Sequence, residues 1–185
     1  MYLTIFLIAV TSIVSFIAFN NYELFNRLKF NAYLVWHKKN FARLLSHALI
    51  HNGWLHLIIN MYVLWMFGSQ VEAAFSSEIY FPETYELGQF LYVLMYVVAI
   101  PVATVPSLFR YRNQHYYNSV GASGAVSAVV FAFILFAPEA KFWFDIPAYV
   151  FGILYLLYAY FMSRRKNDNI AHDAHFVGSV FGLLF

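Results

Sequence analysis

Ser123 sits between Gly121-Ala122 and Gly124 in the stretch NSVGASGAVSAVVFAFILFA, at the threshold of an apolar run that meets no charge until Glu139. A hydroxyl in a Gly-x-Ser-Gly turn has little bulk around it, so a substrate carbonyl can approach closely. The helix that follows presents free backbone N–H groups at its first turn. Together these features make a candidate nucleophile with part of an oxyanion hole. Serine attacks only when a base takes its proton, and a neutral imidazole does so near neutral pH. His175, in the run His172-Asp-Ala-His175, is the candidate base. His56 and Asn60, one helical turn apart and so on one face, are candidate donors to a developing negative charge, and His47 and His51 precede them. Ser127 shares a face with Ser123. Each residue also has a plainer reading: glycines beside a serine signal close helix packing, an intramembrane histidine or Asn60 bridges helices, and Ser127 bonds its own helix backbone. What the plainer readings do not explain is why these residues occur together.

The elements that must position them are membrane helices. Of the 185 residues, 62% are hydrophobic and 11% charged, and apolar runs near bilayer length recur from end to end, which marks an integral membrane protein. There are no cysteines, so disulfides, thiolate metal sites and a cysteine nucleophile are excluded. The formal charge of +2, with basic residues spread through loops, excludes nucleic acid as a partner.

The hydropathy pattern predicts an all-α, polytopic, multi-pass protein of one domain (1–185), with spans at about 4–19, 53–74, 87–105, 121–137, 146–162 and 170–185. Pro101 is expected to kink the third span and Pro147 to start the fifth. The segment 20–52 alternates basic and aromatic side chains, as a structured loop in the headgroup region would. No internal repeat or low-complexity tract supports a repeat transporter. Spans two, four and six cross in the same direction, and each carries its polar residues in the first two turns, so His56, Asn60, Ser123 and His175 are expected at one membrane face. Gly178 and Gly182 give span six a flat stripe, and Gly124, Ala128 and Ala132 give span four another. Backbones can then approach closely enough for a Ser–His hydrogen bond of about 2.6–3.2 Å.

These residues fall in a recognisable order: His47-Ala-Leu-Ile-His51, His56-Leu-Ile-Ile-Asn60, Phe67-Gly68 with Glu72, Gly121-Ala-Ser123-Gly124, and Ala174-His175-Phe-Val-Gly178 with Gly182. The sequence resembles the rhomboid family of intramembrane serine proteases. The resemblance implies that Ser123 is the nucleophile and His175 the base. It makes His56 and Asn60 oxyanion-hole side chains, with the Ser123 N–H assisting. It also implies a six-helix bundle, no cofactor or metal, transmembrane protein substrates, surrounding membrane lipids, and a bacterial cytoplasmic (inner) membrane location. Two positions depart from the family's pattern. Where many rhomboids place an aromatic residue that stacks on the catalytic histidine, this chain has Ser127. Where they place Trp-Arg in the first loop, it has Ala42-Arg43. Asp173 precedes His175 by two and points away on a helix, so the expectation is a dyad without a carboxylate partner. The alternatives are a metal-dependent membrane protease or transporter using the paired histidines, and a catalytically inactive rhomboid-like binding protein.

Orientation is read two ways. Ten of the eleven Lys and Arg residues fall in the first, third and fifth loops, Arg165 and Lys166 among them, which places those loops in the cytoplasm. Glu72, Glu78, Glu83 and Glu86 gather about the second loop, but acidic residues count for little in that rule. The resemblance implies the reverse, a site opening outward, and the basic residues of the first loop would then bind lipid headgroups from a folded, partly embedded segment. The family's orientation is the expectation adopted.

Overall fold

Helix α1 (Tyr2–Phe19) buries Thr4, Thr11, Ser15 and Ala18, a single stripe at helical spacing, and turns its large apolar residues outward. An element that hides its hydroxyls and exposes its hydrocarbon is built for lipid surroundings. The structure, a computed structural model, describes residues 2–77, 85–141, 145–164 and 171–185. Glu78, Glu83, Arg165 and Lys166, which bear on the expected orientation, and Ile170, the expected start of the last span, lie outside the described residues.

The first loop is itself folded, into α2 (Tyr22–Leu28), β1 (Phe30–Asn31), α3 (Ala32–Lys38), α4 (Arg43–Ser46) and a 3-10 turn at His47–Leu49. Asn21 and Asn31 cap α2 and α3 by accepting the N–H groups of Leu24 and Leu34, each at 2.9 Å. Arg43, which follows Ala42 where the family has Trp-Arg, helps to anchor the loop. Its buried guanidinium donates to the carbonyls of Asn26 at 2.9 Å and Lys29 at 2.6 Å, at the end of α2, where the helix offers them no partner. Strand β1 pairs antiparallel with β2 (Asn118–Ser119), in the register Phe30↔Ser119 and Asn31↔Asn118. This short ladder, an exception to the expected all-helical chain, fastens the first loop to the turn that carries Ser123.

The stretch expected as one span over 53–74 is α5 (Trp54–Val63), a π-helical segment at Leu64–Gly68, and α6 (Ser69–Phe75). Glu72, buried in α6, accepts hydrogen bonds from the N–H groups of Leu3 at 3.1 Å and Thr4 at 2.9 Å and from Thr4 Oγ1 at 2.7 Å. A carboxylate there satisfies the free donors at the start of α1 and complements its dipole. Helix α7 (Tyr85–Tyr111) runs through both Pro101 and Pro106 and continues past residue 105, where the third span was expected to stop. Thr104 Oγ1 bonds the Pro101 carbonyl at 2.8 Å within this stretch.

Helix α8 (Ser123–Phe136) is the axis of the structure: every residue from Gly124 to Ile134 is buried. Pro147 caps α9 (Ala148–Ser163) from just outside its first turn, and α10 (His172–Leu184) starts two residues after the expected 170. A Cβ on Gly178 would land on the Gly124 carbonyl oxygen, and one on Gly182 on that of Ala128. Across α8, a Cβ on Gly124 would come within 2.5 Å of Ala103 Cβ in α7. The small-residue stripes therefore set α10 and α7 directly against the nucleophile helix. By length and hydropathy two described helices, α1 and α7, qualify alone as membrane spans, while α8 and α9 are apolar but shorter. The six crossings expected from the sequence are not all met by single uninterrupted helices. The second is broken by the π segment, and α10 has 13 residues.

Candidate active site

The turn before α8 is built for a glycine at 121. Its φ is +113°, which L side chains rarely adopt, and a Cβ there would stand 2.7 Å from His56 Cε1. The first loop fixes this turn through consecutive N–H groups. Gly121 N–H donates to the His47 carbonyl at 2.9 Å, and Ala122 N–H to His51 Nε2 at 3.4 Å. Ser15 Oγ donates to the Leu49 carbonyl at 2.9 Å and lies 3.0 Å from His51 Nδ1. Because the Ser15 hydrogen goes to Leu49, His51 Nδ1 must be the donor to Ser15, which leaves Nε2 as the acceptor for Ala122. Burial, helped by the neighbouring His56, pushes the His51 pKa down to about 3. Burial likewise pushes that of His47 down to about 4, against the opposing pull of its bond to the Arg43 carbonyl. Both rings are neutral at pH 7 and act as fixed struts. With the N–H groups of Gly121 and Ala122 engaged, that of Ser123 follows at the first position of α8, where the helix supplies no acceptor.

Ser123 and His175, 52 residues apart, meet across the α8–α10 contact, with His175 Nε2 at 2.8 Å from Ser123 Oγ. Asp173 holds Ser107 Oγ at 2.6 Å with Oδ2 and its neighbour's N–H, that of Ala174, at 2.9 Å with Oδ1. Tyr117 OH lies 2.9 Å from Ser107 Oγ and donates to it, since the Ser107 hydrogen goes to Asp173. This Tyr117–Ser107–Asp173 chain ties the loop before Ser123 to the first turn of the helix that carries His175.

His56 Nδ1 accepts the Asn52 N–H at 3.4 Å, so Nε2 is left as the protonated nitrogen, on the side facing Gly121. Asn60, buried one turn deeper, donates through Nδ2 to the His56 carbonyl at 2.8 Å. Of the four residues singled out by the sequence, Ser123, His175 and His56 are therefore gathered about the turn, while Asn60 is bonded to its own helix.

A model described as the rhomboid domain matches residues 38–185. The chain belongs to the rhomboid family. It is 30% identical over 149 residues to a protein named Rhomboid protease GlpG from Photorhabdus laumondii, a match covering 77% of this chain and 45% of that protein. It is 29% identical over 92 residues to the Presenilin-associated rhomboid-like protein A, mitochondrial, of Danio rerio, covering 49% of this chain and 21% of the relative. The chain thus spans less than half the length of these curated relatives. Rhomboids are membrane-embedded, and the two long apolar helices fit that setting.

Three features of this rhomboid site were not read from the sequence. Ser127, expected to bond its own helix backbone, instead has its hydroxyl 3.5 Å from Tyr155 OH on α9. Tyr155 in turn packs against Phe131, so a ring from a neighbouring helix occupies the space beside the small Ser127. The ring next to His175 is His172, edge-on at 6.1 Å between centroids, itself edge-on to Tyr158 at 5.7 Å. Behind Ser123 a cavity of about 20 Å³, lined by His47, Thr104, Ser119 and Gly121 among others, has room for about one water. Among the described residues, no three His, Asp or Glu side chains converge as a metal-ligand set.

Proposed function

We propose that this rhomboid is an intramembrane serine endopeptidase that cleaves transmembrane protein substrates with a Ser123–His175 dyad. The observation that carries the reading is the 2.8 Å separation of His175 Nε2 and Ser123 Oγ, held by glycine-to-backbone packing rather than by flexible side chains. In this mechanism Ser123 Oγ attacks the scissile carbonyl and His175 Nε2 takes its proton. The tetrahedral oxyanion is stabilised by the Ser123 N–H and the His56 Nε2–H. Asn60 Nδ2 contributes its second hydrogen when the substrate is bound. His175 then gives its proton to the leaving amine, the acyl-enzyme forms, and water activated by the same imidazole releases the second product. Asp173 is outside this relay, because Ser107 and Ala174 engage its oxygens.

The bundle in this proposal crosses the membrane six times, and the site opens to the side reached by the first loop. Relatedness to a protein named as a rhomboid protease supports the reading. The test is cleavage of a reconstituted transmembrane substrate by the purified chain. Activity should vanish in Ser123→Ala and in His175→Ala while both variants stay folded, and it should survive a chelator. Chelator-sensitive cleavage that persists in Ser123→Ala would replace the serine reading with a metal-dependent one.

A further inference from the structure

Where the last turn of α7, the last turn of α9 and the first turn of α10 meet, the bundle leaves an open cavity of about 520 Å³ on the side of α10 away from the nucleophile. Two guanidinium groups rim it. Arg164 lies over the Tyr160 ring at 4.5 Å and bonds the Tyr160 hydroxyl, and Arg110 donates to the Ser163 carbonyl at 3.3 Å. Neither forms an ion pair with an acid among the described residues. Asp173, the single acid among the described lining residues, already holds Ser107 and Ala174, so these described residues carry two positive charges against one negative. Below the rim the wall is apolar and aromatic: Pro106, Phe176 and Val177 line it with Tyr160, whose ring stands 5.8 Å from that of Phe176. On the bundle surface around it, Phe109 and Phe161 are more than half exposed.

We propose that this cavity is a binding site for an anionic phospholipid, its phosphate held between Arg110 and Arg164 and an acyl chain lying along Tyr160, Phe176 and Val177. Guanidinium groups pair with phosphate through directed, charge-assisted hydrogen bonds. Free phosphate would match the rim and leave the apolar wall uncovered; a lipid matches both. The volume falls within the usual range for a small-molecule site. A lipid there braces α9 against the first turn of α10, the turn that begins with His172 and holds Asp173 and His175. The site rests on the membrane setting and not on the protease mechanism, and it would exist equally in an inactive chain.

The experiment uses the full chain in a neutral detergent, titrated with dioleoylphosphatidylglycerol, dioleoylphosphatidylcholine or inorganic phosphate. Bound lipid is counted by native mass spectrometry and unfolding is followed by temperature. Phosphatidylglycerol should be retained and should raise the unfolding temperature, because a ligand that binds only the folded state stabilises it. Phosphatidylcholine and inorganic phosphate should do neither. Arg110→Gln/Arg164→Gln should weaken phosphatidylglycerol retention by about tenfold or more, the loss expected for charge-assisted hydrogen bonds. Lys141→Gln, a lysine paired with Asp145 between α8 and α9 and outside the cavity, should not weaken it. Unchanged retention in the double arginine variant would overturn the site, as would a stabilisation by inorganic phosphate equal to that by the lipid. If the glutamine variant fails to fold, Arg110→Lys/Arg164→Lys decides. It must still prefer phosphatidylglycerol to phosphatidylcholine, and equal retention of the two lipids would overturn the proposal.

Discussion

Gly178→Ala is a one-carbon change that should disable the site without touching a reacting group. Gly178 lies about one turn after His175 on α10, and its missing Cβ is the reason α10 can rest on the backbone of α8. A methyl group there would overlap the Gly124 carbonyl oxygen and stand 2.9 Å from the Gly124 carbonyl carbon and 3.2 Å from its Cα. All three atoms are backbone, so no rotamer relieves the clash and the two helices must part by on the order of 1 Å, since packed interiors absorb volume only by moving. Gly124 adjoins Ser123, so the separation opens the 2.8 Å Ser123–His175 contact. A displacement of about 1 Å can cost roughly 10²-fold in rate, and overpacking costs about 1–3 kcal/mol of stability. Gly152→Ala is the matched control: its Cβ would meet Ile134 Cδ1 at 2.9 Å, the movable end of a side chain, and turnover should stay within about twofold. The assay is turnover per folded molecule on a reconstituted transmembrane substrate, with thermal unfolding measured in parallel. If Gly178→Ala turns over like the wild type, backbone contact between α8 and α10 does not set the geometry of the dyad.

Three further outcomes follow from the same geometry. Asp173→Asn should lower turnover by less than about tenfold, against the roughly 10⁴-fold expected for a triad aspartate; steady-state kinetics would separate the two. Asn60→Ala should reduce kcat by about 10²- to 10³-fold with little change in KM, whereas a change in stability alone would make Asn60 a packing residue. The folded protein keeps His47 and His51 neutral down to pKa values of about 4 and 3, below the unfolded value of 6.5. Above that value neither state holds the proton. Below it the unfolded chain protonates first, so stability should fall progressively as pH drops from about 6.5 towards 4. In Tm measurements at pH 7 and pH 5, His51→Gln should lose less on acidification than the wild type; an equal loss would place the acid sensitivity elsewhere.

The meeting of Ser123 and His175 was legible because it depends on coarse features. Same-direction helices put polar residues at matching depth, and glycines at spacing four permit close approach. The first loop was legible only as basic and aromatic. Its folding depends on caps at Asn21 and Asn31 and on a guanidinium reaching carbonyls 14 and 17 residues back, contacts with no local periodicity. The His51–Ala122 strut likewise joins residues 71 apart and is invisible to spacing. Glu72 read as an acid near a loop, yet it serves the first turn of α1, because a carboxylate is tolerated in an apolar bundle only where several donors meet it. Ser127 was expected to bond its own backbone, and Tyr155 drew it outward instead. The expected span over 53–74 overlooked the π segment at Leu64–Gly68, whose extra residue per turn leaves no mark on the hydropathy pattern.

Phosphonylation tests most directly whether His175 activates Ser123. A serine-directed fluorophosphonate should label the purified, folded chain at one residue, mapped to Ser123 by peptide mass spectrometry, with labelling lost in Ser123→Ala and sharply slowed in His175→Ala. Labelling at Ser127, or none in a chain shown to be folded, would contradict that activation.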